Sequence, residues 1–595
     1  MKISKTKFIN YLRCNRFVAL EEVYREKSDA VISFTDDALL EDLMSFENAQ
    51  KTQHILEDMY DEDDVDLIEK IDAQLETMLP FYNQVEMISG QAIKNRFKGK
   101  TIYSMDTFKQ KRFEFETNGF HFFCFLDGYQ EDKDQIRIFE TKATTSKKFL
   151  DLYFKDDSNE KTNFFQYNQE GILVPASDLM DIKSKDFHKK MKKLFDYLGK
   201  EGRYIYDIAY QRYVFEQSYD HNKTAKFFLA VLNSEYIHDG KIDKKGNPIY
   251  KDDCIVFIDV TSILNHMMPI VETHLNLVLR RLNQMNAEEV PLGKHCQRND
   301  QRQCMFYQVC YKHIPNHNSI FTYIGNHNGF KDEQDTKHDR FDLINEGYVS
   351  MEDIPHEWLK RENNIIQRQV IDSGKPFFDV KKIKDGVEAL TYPLYHLDFE
   401  TFPAPLPRFK GEKPYSQSLF QYSIHIEHKP GVCHKDLDNF YYLADNHEDH
   451  REKLIKSMLE VIRPDGGTIL VYNQSFEQTR LKEMAELFPQ YRDRLLDMIN
   501  RLFDLMHILK GNKKLYMNLG YSEDEAKGIN FYHDKLNGSY SIKKVLPIFS
   551  TLTYEGMEIA NGTMALTAYA RFPQMDTETF KKTYIDLLEY CKQDT

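Results

Sequence analysis

The sequence has one tryptophan in 595 residues, no apolar run long enough to span a bilayer, and no excess of basic charge. A membrane-spanning helix needs about 20 consecutive apolar residues, and no segment approaches that. The opening MKISKTKFINYLRC lacks the apolar stretch of a secretory signal. These absences predict a soluble, cytoplasmic protein. Lys and Arg number 79 against 94 Asp and Glu, a formal charge of −15. Coating DNA in the manner of a histone requires the opposite balance, so that class is excluded. A nuclease is not, because carboxylate metal sites add negative charge while a groove stays locally basic. KSKDFHKKMKK, residues 183–193, reads equally as such a groove or as a solvated helix face.

Cysteine is sparse as well, with eight in the chain. In a large cytosolic protein an even count is not a disulfide framework, and the spacing carries more than the number. What the chain has in quantity is apolar and aromatic material, 41% and 13%. That suffices for packing throughout, and the length exceeds what one core holds, so two or more domains are expected.

The first segment, SKTKFINYLRCNRFVALEEVYRE, reads as one helix with Phe8, Tyr11 and Leu12 on a face. EDMYDEDDVDLIEKIDAQLETML follows as a solvated helix or helical pair. From residue 101 the pattern turns to strands: TIYSMDTF, RFEFET, FHFFCFLDGY and QIRIFETKAT. A helix around YIYDIAYQRYVFEQ, strands AKFFLAVLNSEYI and CIVFIDVT, and a helix IVETHLNLVLRRLNQ lead into clustered cysteines. Residues 318–389 are polar, mostly helical in pattern, and read as a connector. From residue 390 strands return in YPLYHLDFET, SLFQYSIHIE, FYYLA and TILVYNQS, with mostly helix beyond.

YHLDFETF places Asp398 and Glu400 two apart on a strand, hence on one face. Adjacent carboxylates repel, so such a pair is normally held by cations. ILVYNQSFEQTRL sets Asn473, Phe476 and Glu477 just past a second strand. LLEYCKQDT sets Tyr590 and Asp594 one helical turn apart. The order of these motifs resembles the DnaQ-like, DEDD-type 3′–5′ exonucleases of the ribonuclease-H-like fold, in the subclass with a third-motif tyrosine. The resemblance implies two Mg²⁺ or Mn²⁺ ions bridged by Asp398, with Glu400 and Asp594 completing their shells. It puts Glu477 in a place usually held by aspartate, in direct contact with metal or through water. Tyr590 would orient or help deprotonate the attacking water, and Asp504 is a further acid nearby. The sequence stops one residue after Asp594, which reads as a truncated helix with a frayed last turn.

In the N-terminal half, Asp127 ends one strand while Glu140 and Lys142 continue the face of Ile136 and Ile138 on the next. This resembles the PD-(D/E)xK nuclease core, which implies Asp127 and Glu140 as metal ligands and Lys142 as support for the attacking water or the phosphorane charge. Gln211 and Phe215 are similar to the Q-x-x-x-Tyr element of RecB-family nucleases, although an ordinary helix with a buried phenylalanine fits equally well. Cys14 stands alone, and Cys296, Cys304 and Cys310 cluster in KHCQRNDQRQCMFYQVC. One distant and three grouped cysteines resemble the iron–sulfur RecB-type nucleases, including AddB and the CRISPR-adaptation nucleases. That resemblance implies a [4Fe–4S] cluster on these four residues. Thiolates suit zinc too, with His295 as a substitute ligand. The histidine that such nucleases carry on an upstream helix has no counterpart in SGQAIKNRFKGK. His121 shares the strand of Asp127.

As a whole the chain resembles an uncharacterised bacterial family with a RecB-like iron–sulfur module, a helical connector and a domain carrying D-F-E-T. The expected fold is α/β: a PD-(D/E)xK restriction-endonuclease-like core with a cysteine clasp (residues 1–317), a connector (318–389) and a ribonuclease-H-like domain (390–595). The expected function is metal-dependent hydrolysis of DNA, with 3′–5′ exonuclease action on single-stranded ends, in repair or defence. The alternatives are a nucleic-acid-binding protein with one or both sites vestigial, and an RNase.

Overall fold

The computed structural model describes residues 1–28, 77–105, 109–218, 223–296, 303–326 and 328–595. The acidic segment expected to be helical lies, up to residue 76, outside the described residues. The fold is mixed α/β with several sheets. Among the described residues, no helix is long and apolar enough to cross a membrane.

The first segment divides into α1 (Lys5–Tyr11) and α2 (Asn15–Ser28), where one helix was expected. The Ser4 hydroxyl caps the first. The break is held from outside: Arg281 donates to the Tyr11 carbonyl and to Asn15 Oδ1, and Arg13 to the His295 carbonyl. Cys14 therefore sits at a corner rather than on a helix face.

The strand expected through FHFFCFLDGY is likewise two. β1 (Lys2–Ile3), β3 (Lys111–Thr117) and β4 (Phe120–Leu126) form a small sheet in the order β1-β4-β3. The chain bends at Asp127, and β5 (Gly128–Glu131) enters a different sheet of seven strands. Its other members are β2 (Lys100–Tyr103), β6 (Gln135–Thr145), β7 (Phe165–Tyr167), β8 (Leu173–Pro175), β9 (Thr224–Leu232) and β10 (Ile255–Asp259), in the order β2-β5-β6-β9-β10-β8-β7. β6 pairs in parallel with β9 and antiparallel with β5. It is buried on both faces. Ile136 and Ile138 face the core under α4 (Gly202–Ser218) and α5 (Thr261–Gln284), and Phe139 faces the opposite core.

Residues 318–389 hold less helix than their polar pattern implied: Arg340–Asn345, Glu362–Ser373 and Val380–Glu388, with loops between them. Their apolar side chains, with Leu343, Met351 and Ile354 fully buried, share a core with Leu292, Cys296, Tyr311 and Ile314 of the preceding segment. Phe377–Phe378 pairs with Phe531–Tyr532, which ties this segment to the C-terminal half.

There, β11 (Leu394–Pro403), β12 (Gln417–Glu427), β13 (Asn439–Leu443), β14 (Ile469–Val471) and β15 (Leu502–Asp504) make a sheet in the order β13-β12-β11-β14-β15. One face packs on α6 (Gln474–Leu487) through Leu481 and Met484. The other packs on α8 (Gly562–Ala570) and α9 (Thr577–Gln593), with α7 (Ile542–Phe549) at the end of the sheet. That second core is continuous with the N-terminal half. It joins Phe139, Phe228 and Phe257 to Phe402, Phe420, Tyr569 and Tyr590 across α3 (Leu79–Arg96).

Candidate active sites

β14 pairs with β11 at Tyr395 and His396, so Asp398 and Glu400 lie beyond the paired stretch, at an open end. Directly after Glu400 the β11–β12 register slips, a bulge of the sort that re-aims side chains beside functional sites. Carboxylate oxygens of Asp398, Glu400 and Asp594 all lie within 4.8 Å of one another. Burial, then the Asp594 charge, pushes Asp398 well above the usual carboxylate range. Burial, then Asp398 and Asp594, does the same to Glu400. Burial raises Asp594 to about 6, opposed by hydrogen bonds from Tyr554 and Tyr590 and by the Lys543 charge. Three acids that resist ionising together are a place where a divalent cation is stabilising.

Glu477 is 3% exposed in the first turn of α6, but it is not a member of this 4.8 Å group. Burial, then the Asp398 charge, raises it well above its usual value. Its Oε2 is buried without a hydrogen-bond partner. It stands beside the triad as a fourth acid with an oxygen to spare. Asp504 is not a further acid of this kind. Its carboxylate accepts the backbone N–H groups of Asn473, Gln474 and Met506 at 3.2, 3.2 and 3.0 Å. It clasps the left-handed Asn473 (φ 72°) that starts α6, and so positions Glu477.

The frayed last turn expected at Asp594 is absent. Tyr554 donates to Asp594 Oδ1. The Thr595 hydroxyl bonds Ser423 and His425 at 2.9 and 2.8 Å, and Lys592 bonds Asp436 at 2.7 Å. The Cys591 thiol donates to Asp398 at 3.3 Å. The Tyr590 phenol is held far above its normal range, by burial first and then by Asp594, Glu400 and Asp398.

The N-terminal group is an ion network. Asp127 Oδ2 accepts the Thr141 N–H at 2.8 Å, which fixes the bend between the two sheets. Burial, then the Glu140 and Glu86 charges, raises Asp127 to about 8. Glu140 is 1% exposed. Its Oε1 accepts from Lys5 and from Lys142 (2.8 Å), and its Oε2 from Gln211 (2.5 Å). Burial would raise Glu140, but the Lys142 and Lys5 charges outweigh it and hold the carboxyl at about 2. Lys142 also donates to Asp207 at 2.5 Å. Phe215 stays in the core, 5.1 Å from Phe113. His121 is on the surface beside Glu116, away from Asp127. The upstream helix instead brings Glu86 into range. Lys5, Glu86, Asp207, Lys543 and Tyr554 were absent from the sequence reading. Only Asp207, one turn before Gln211, carried a local signal.

All four cysteines named from the sequence, with His295, line one pocket between the α1–α2 corner and residues 290–296 and 304–311. Burial, then the neighbouring cysteines, raises Cys296 to about 11 against a backbone hydrogen bond to its sulfur. Among the described residues, no three of these sulfurs lie within 4.8 Å of one another. The basic segment is an amphipathic helix, Lys185–Lys193, with Phe187 and Met191 buried and lysines outward.

Residues 395–541 match the family model described as "Domain of unknown function (DUF2779)". That match contains Asp398, Glu400, Glu477 and Asp504 but not Tyr554, Tyr590 or Asp594. The chain is 27% identical over 231 residues to "Uncharacterized protein MG366 homolog" of Mycoplasma pneumoniae, covering 36% of this chain and 32% of that protein. It is 28% identical over 218 residues to "Uncharacterized protein UU173" of Ureaplasma parvum serovar 3, covering 33% and 29%. "Uncharacterized protein MG366" of Mycoplasma genitalium is 26% identical over 241 residues, covering 38% and 33%. The similarity thus spans about a third of each relative's length, and none of these names assigns an activity. No solved structure matches the chain.

Proposed function

We propose that this protein is a metal-dependent nuclease that hydrolyses DNA phosphodiesters, with its principal site at Asp398, Glu400, Glu477 and Asp594. The observation that carries this reading is the convergence of three carboxylates within 4.8 Å from strand β11 and the end of α9. The donor set is all oxygen and strongly anionic, which suits Mg²⁺ or Mn²⁺. Asp398, Glu400, Glu477 and Asp594 would hold two such ions, which would supply charge to the attacking and leaving oxygens of an in-line displacement. The chain's own groups fix the geometry. Asp504 sets the turn that delivers Glu477, and Tyr554 fixes Asp594. Tyr590, a phenol that burial first and its acid neighbours next hold in the neutral form, orients or helps deprotonate the attacking water. The ribonuclease-H-like reading of this half, and 3′–5′ action on single-stranded ends, rest on motif order.

Asp127, Glu140, Lys142 and Gln211 form a second, PD-(D/E)xK-like site in this proposal. Both Glu140 oxygens are engaged by protein donors, which favours strand binding as this site's alternative role. In this proposal the cysteine pocket holds a [4Fe–4S] cluster on Cys14, Cys296, Cys304 and Cys310, with zinc as the alternative, since thiolates suit both.

The test is degradation of a 5′-labelled single-stranded oligonucleotide with Mg²⁺ or Mn²⁺, comparing the full chain with Asp398→Ala and Asp127→Ala. Metal-dependent shortening strongly reduced by Asp398→Ala is expected, with the residual cleavage removed when Asp127→Ala is added. Shortening that Asp398→Ala leaves untouched would remove the C-terminal site from the reaction, and matched RNA substrates separate DNase from RNase.

A further inference from the structure

The chain's fifth residue stands at the heart of the N-terminal acid network. Lys5 opens α1, whose cap is the Ser4 hydroxyl. Immediately before it, β1 pairs with β4, Lys2 against His121 and Ile3 against Phe122. The Ile3 carbonyl accepts from Tyr210 at 3.1 Å, and the Phe8 ring packs 4.8 Å from that of Tyr210. Both ends of the first turn are thus fixed against α4, the helix that carries Asp207 and Gln211. The Lys5 ammonium is consequently placed, and it lands on Glu140 Oε1, the oxygen already accepting from Lys142.

Two lysines on one carboxylate oxygen are not equivalent. Lys142 is committed on both sides, to Glu140 at 2.8 Å and Asp207 at 2.5 Å. Lys5 has Glu140 on one side, while Asp207 lies beyond hydrogen-bond reach at 3.8 Å. An ammonium has three donors. The Lys5 side chain is 25% exposed, against 17% for Lys142 and 2% for Glu140, so of the three it is the one nearest solvent.

We propose that Lys5 is a phosphodiester-contacting residue of the Asp127–Glu140–Lys142 site, donating from the solvent side of Glu140 to a non-bridging oxygen of the bound strand. This rests on the nucleic-acid reading of that site. Lys5 remains protonated throughout and neither gives nor takes a proton. Its role is to bind charge, and Lys142 is left to hold Glu140 and Asp207 in place.

The experiment uses the full chain carrying Asp398→Ala, so that only the N-terminal site can act, with Lys5→Gln and Lys5→Arg added. Cleavage of a single-stranded oligonucleotide with Mn²⁺ is expected to fall about a hundredfold in Lys5→Gln, the scale for losing one charge-binding donor, and to survive in Lys5→Arg. Binding with Ca²⁺ in place of Mn²⁺ reads the contact independently of cleavage. The slope of log affinity against log salt should shrink by about 0.7 in Lys5→Gln, one phosphate contact on a single strand, and stay unchanged in Lys5→Arg. An unchanged slope in Lys5→Gln overturns the proposal. So does an equal loss in Lys5→Arg with a lowered melting temperature, which marks a purely structural lysine. If the Asp398→Ala parent neither cleaves nor differs from Asp127→Ala/Asp398→Ala, hydrolysis at this site fails, while the salt slope still decides Lys5.

Discussion

Tyr554 donates its hydroxyl to the carboxylate of Asp594, tying the last turn of α9 to a residue forty positions earlier. That bond works against burial, which raises Asp594 to about 6. Asp594 must be ionised to hold a cation, so protons and metal compete there. Tyr554→Phe removes a donor that favours the charged form and moves this value further up. The acid limb of the metal-dependent pH–rate profile should therefore shift to higher pH. Cleavage is expected to drop several-fold near pH 6 and to approach the parent rate near pH 8.5. A uniform loss at both pH values would mean that Tyr554 acts on something other than Asp594 ionisation.

The N-terminal acids give predictions of opposite sign. Asp127 sits at about 8 in the fold against about 4 unfolded. Its ionisation therefore costs stability that is intact below pH 4 and lost as pH rises toward 8. Asp127→Asn keeps the acceptor for the Thr141 N–H and removes the charge. With chelator present, it should stabilise the protein by on the order of 2 kcal/mol at pH 7.5 and by almost nothing at pH 4. Glu140 is held at about 2, so its contribution is present above pH 4.5 and is lost as pH falls toward 2. Glu140→Gln should destabilise at neutral pH by about 3 kcal/mol, since two lysines lose their counter-charge. Denaturant melts at the two pH values check both. Equal shifts for Asp127→Asn at pH 4 and 7.5 would refute the assignment.

What the sequence disclosed follows from local periodicity. Asp398 with Glu400, and Glu140 with Lys142, are legible because a strand repeats every two residues. Tyr590 with Asp594 is legible because a helix returns after four. Lys5, Glu86, Lys543 and Tyr554 are not, because they reach the sites from elements placed only by tertiary packing. Asp504 shows the converse. A buried acid beside the motif reads as a further acid near the site, and it does lie near Glu477, but three backbone N–H groups occupy its oxygens. The bend at Asp127 was invisible too, since FHFFCFLDGY has strand propensity along its whole length while its two halves pair in different sheets.

The cysteine pocket makes a spectroscopic prediction. Cys14 is delivered by the α1–α2 corner and lines the pocket with Cys296, Cys304 and Cys310, so a bound cluster would cross-link positions nearly 300 residues apart. Anaerobically purified protein should absorb in the visible range and contain iron. Cys14→Ser should bleach it and lower the melting temperature by several degrees, because the loop closure is lost along with the group. Colourless protein holding one equivalent of zinc would reject the cluster in favour of a single-ion site.

The two halves should unfold together, because their packing is one core. Tyr415, a left-handed residue (φ 61°) on the β11–β12 connection, donates to the Ala143 carbonyl at 2.7 Å, one residue past Lys142. Around it, Phe81 packs on Phe402 at 5.1 Å, the His238 N–H donates to the Glu412 carbonyl and the Gly411 N–H to the His238 carbonyl. Tyr415→Phe removes the bonds to Ala143 and to the Tyr82 hydroxyl (3.3 Å) and should cost about 2 kcal/mol, leaving a single calorimetric transition. Tyr415→Ala also opens a cavity in the seam, at about 3–5 kcal/mol, and should split the transition in two as the halves decouple. Two transitions in the unmodified protein would show that the shared core does not couple them. A single transition in Tyr415→Ala would place the coupling in the α3 contacts instead.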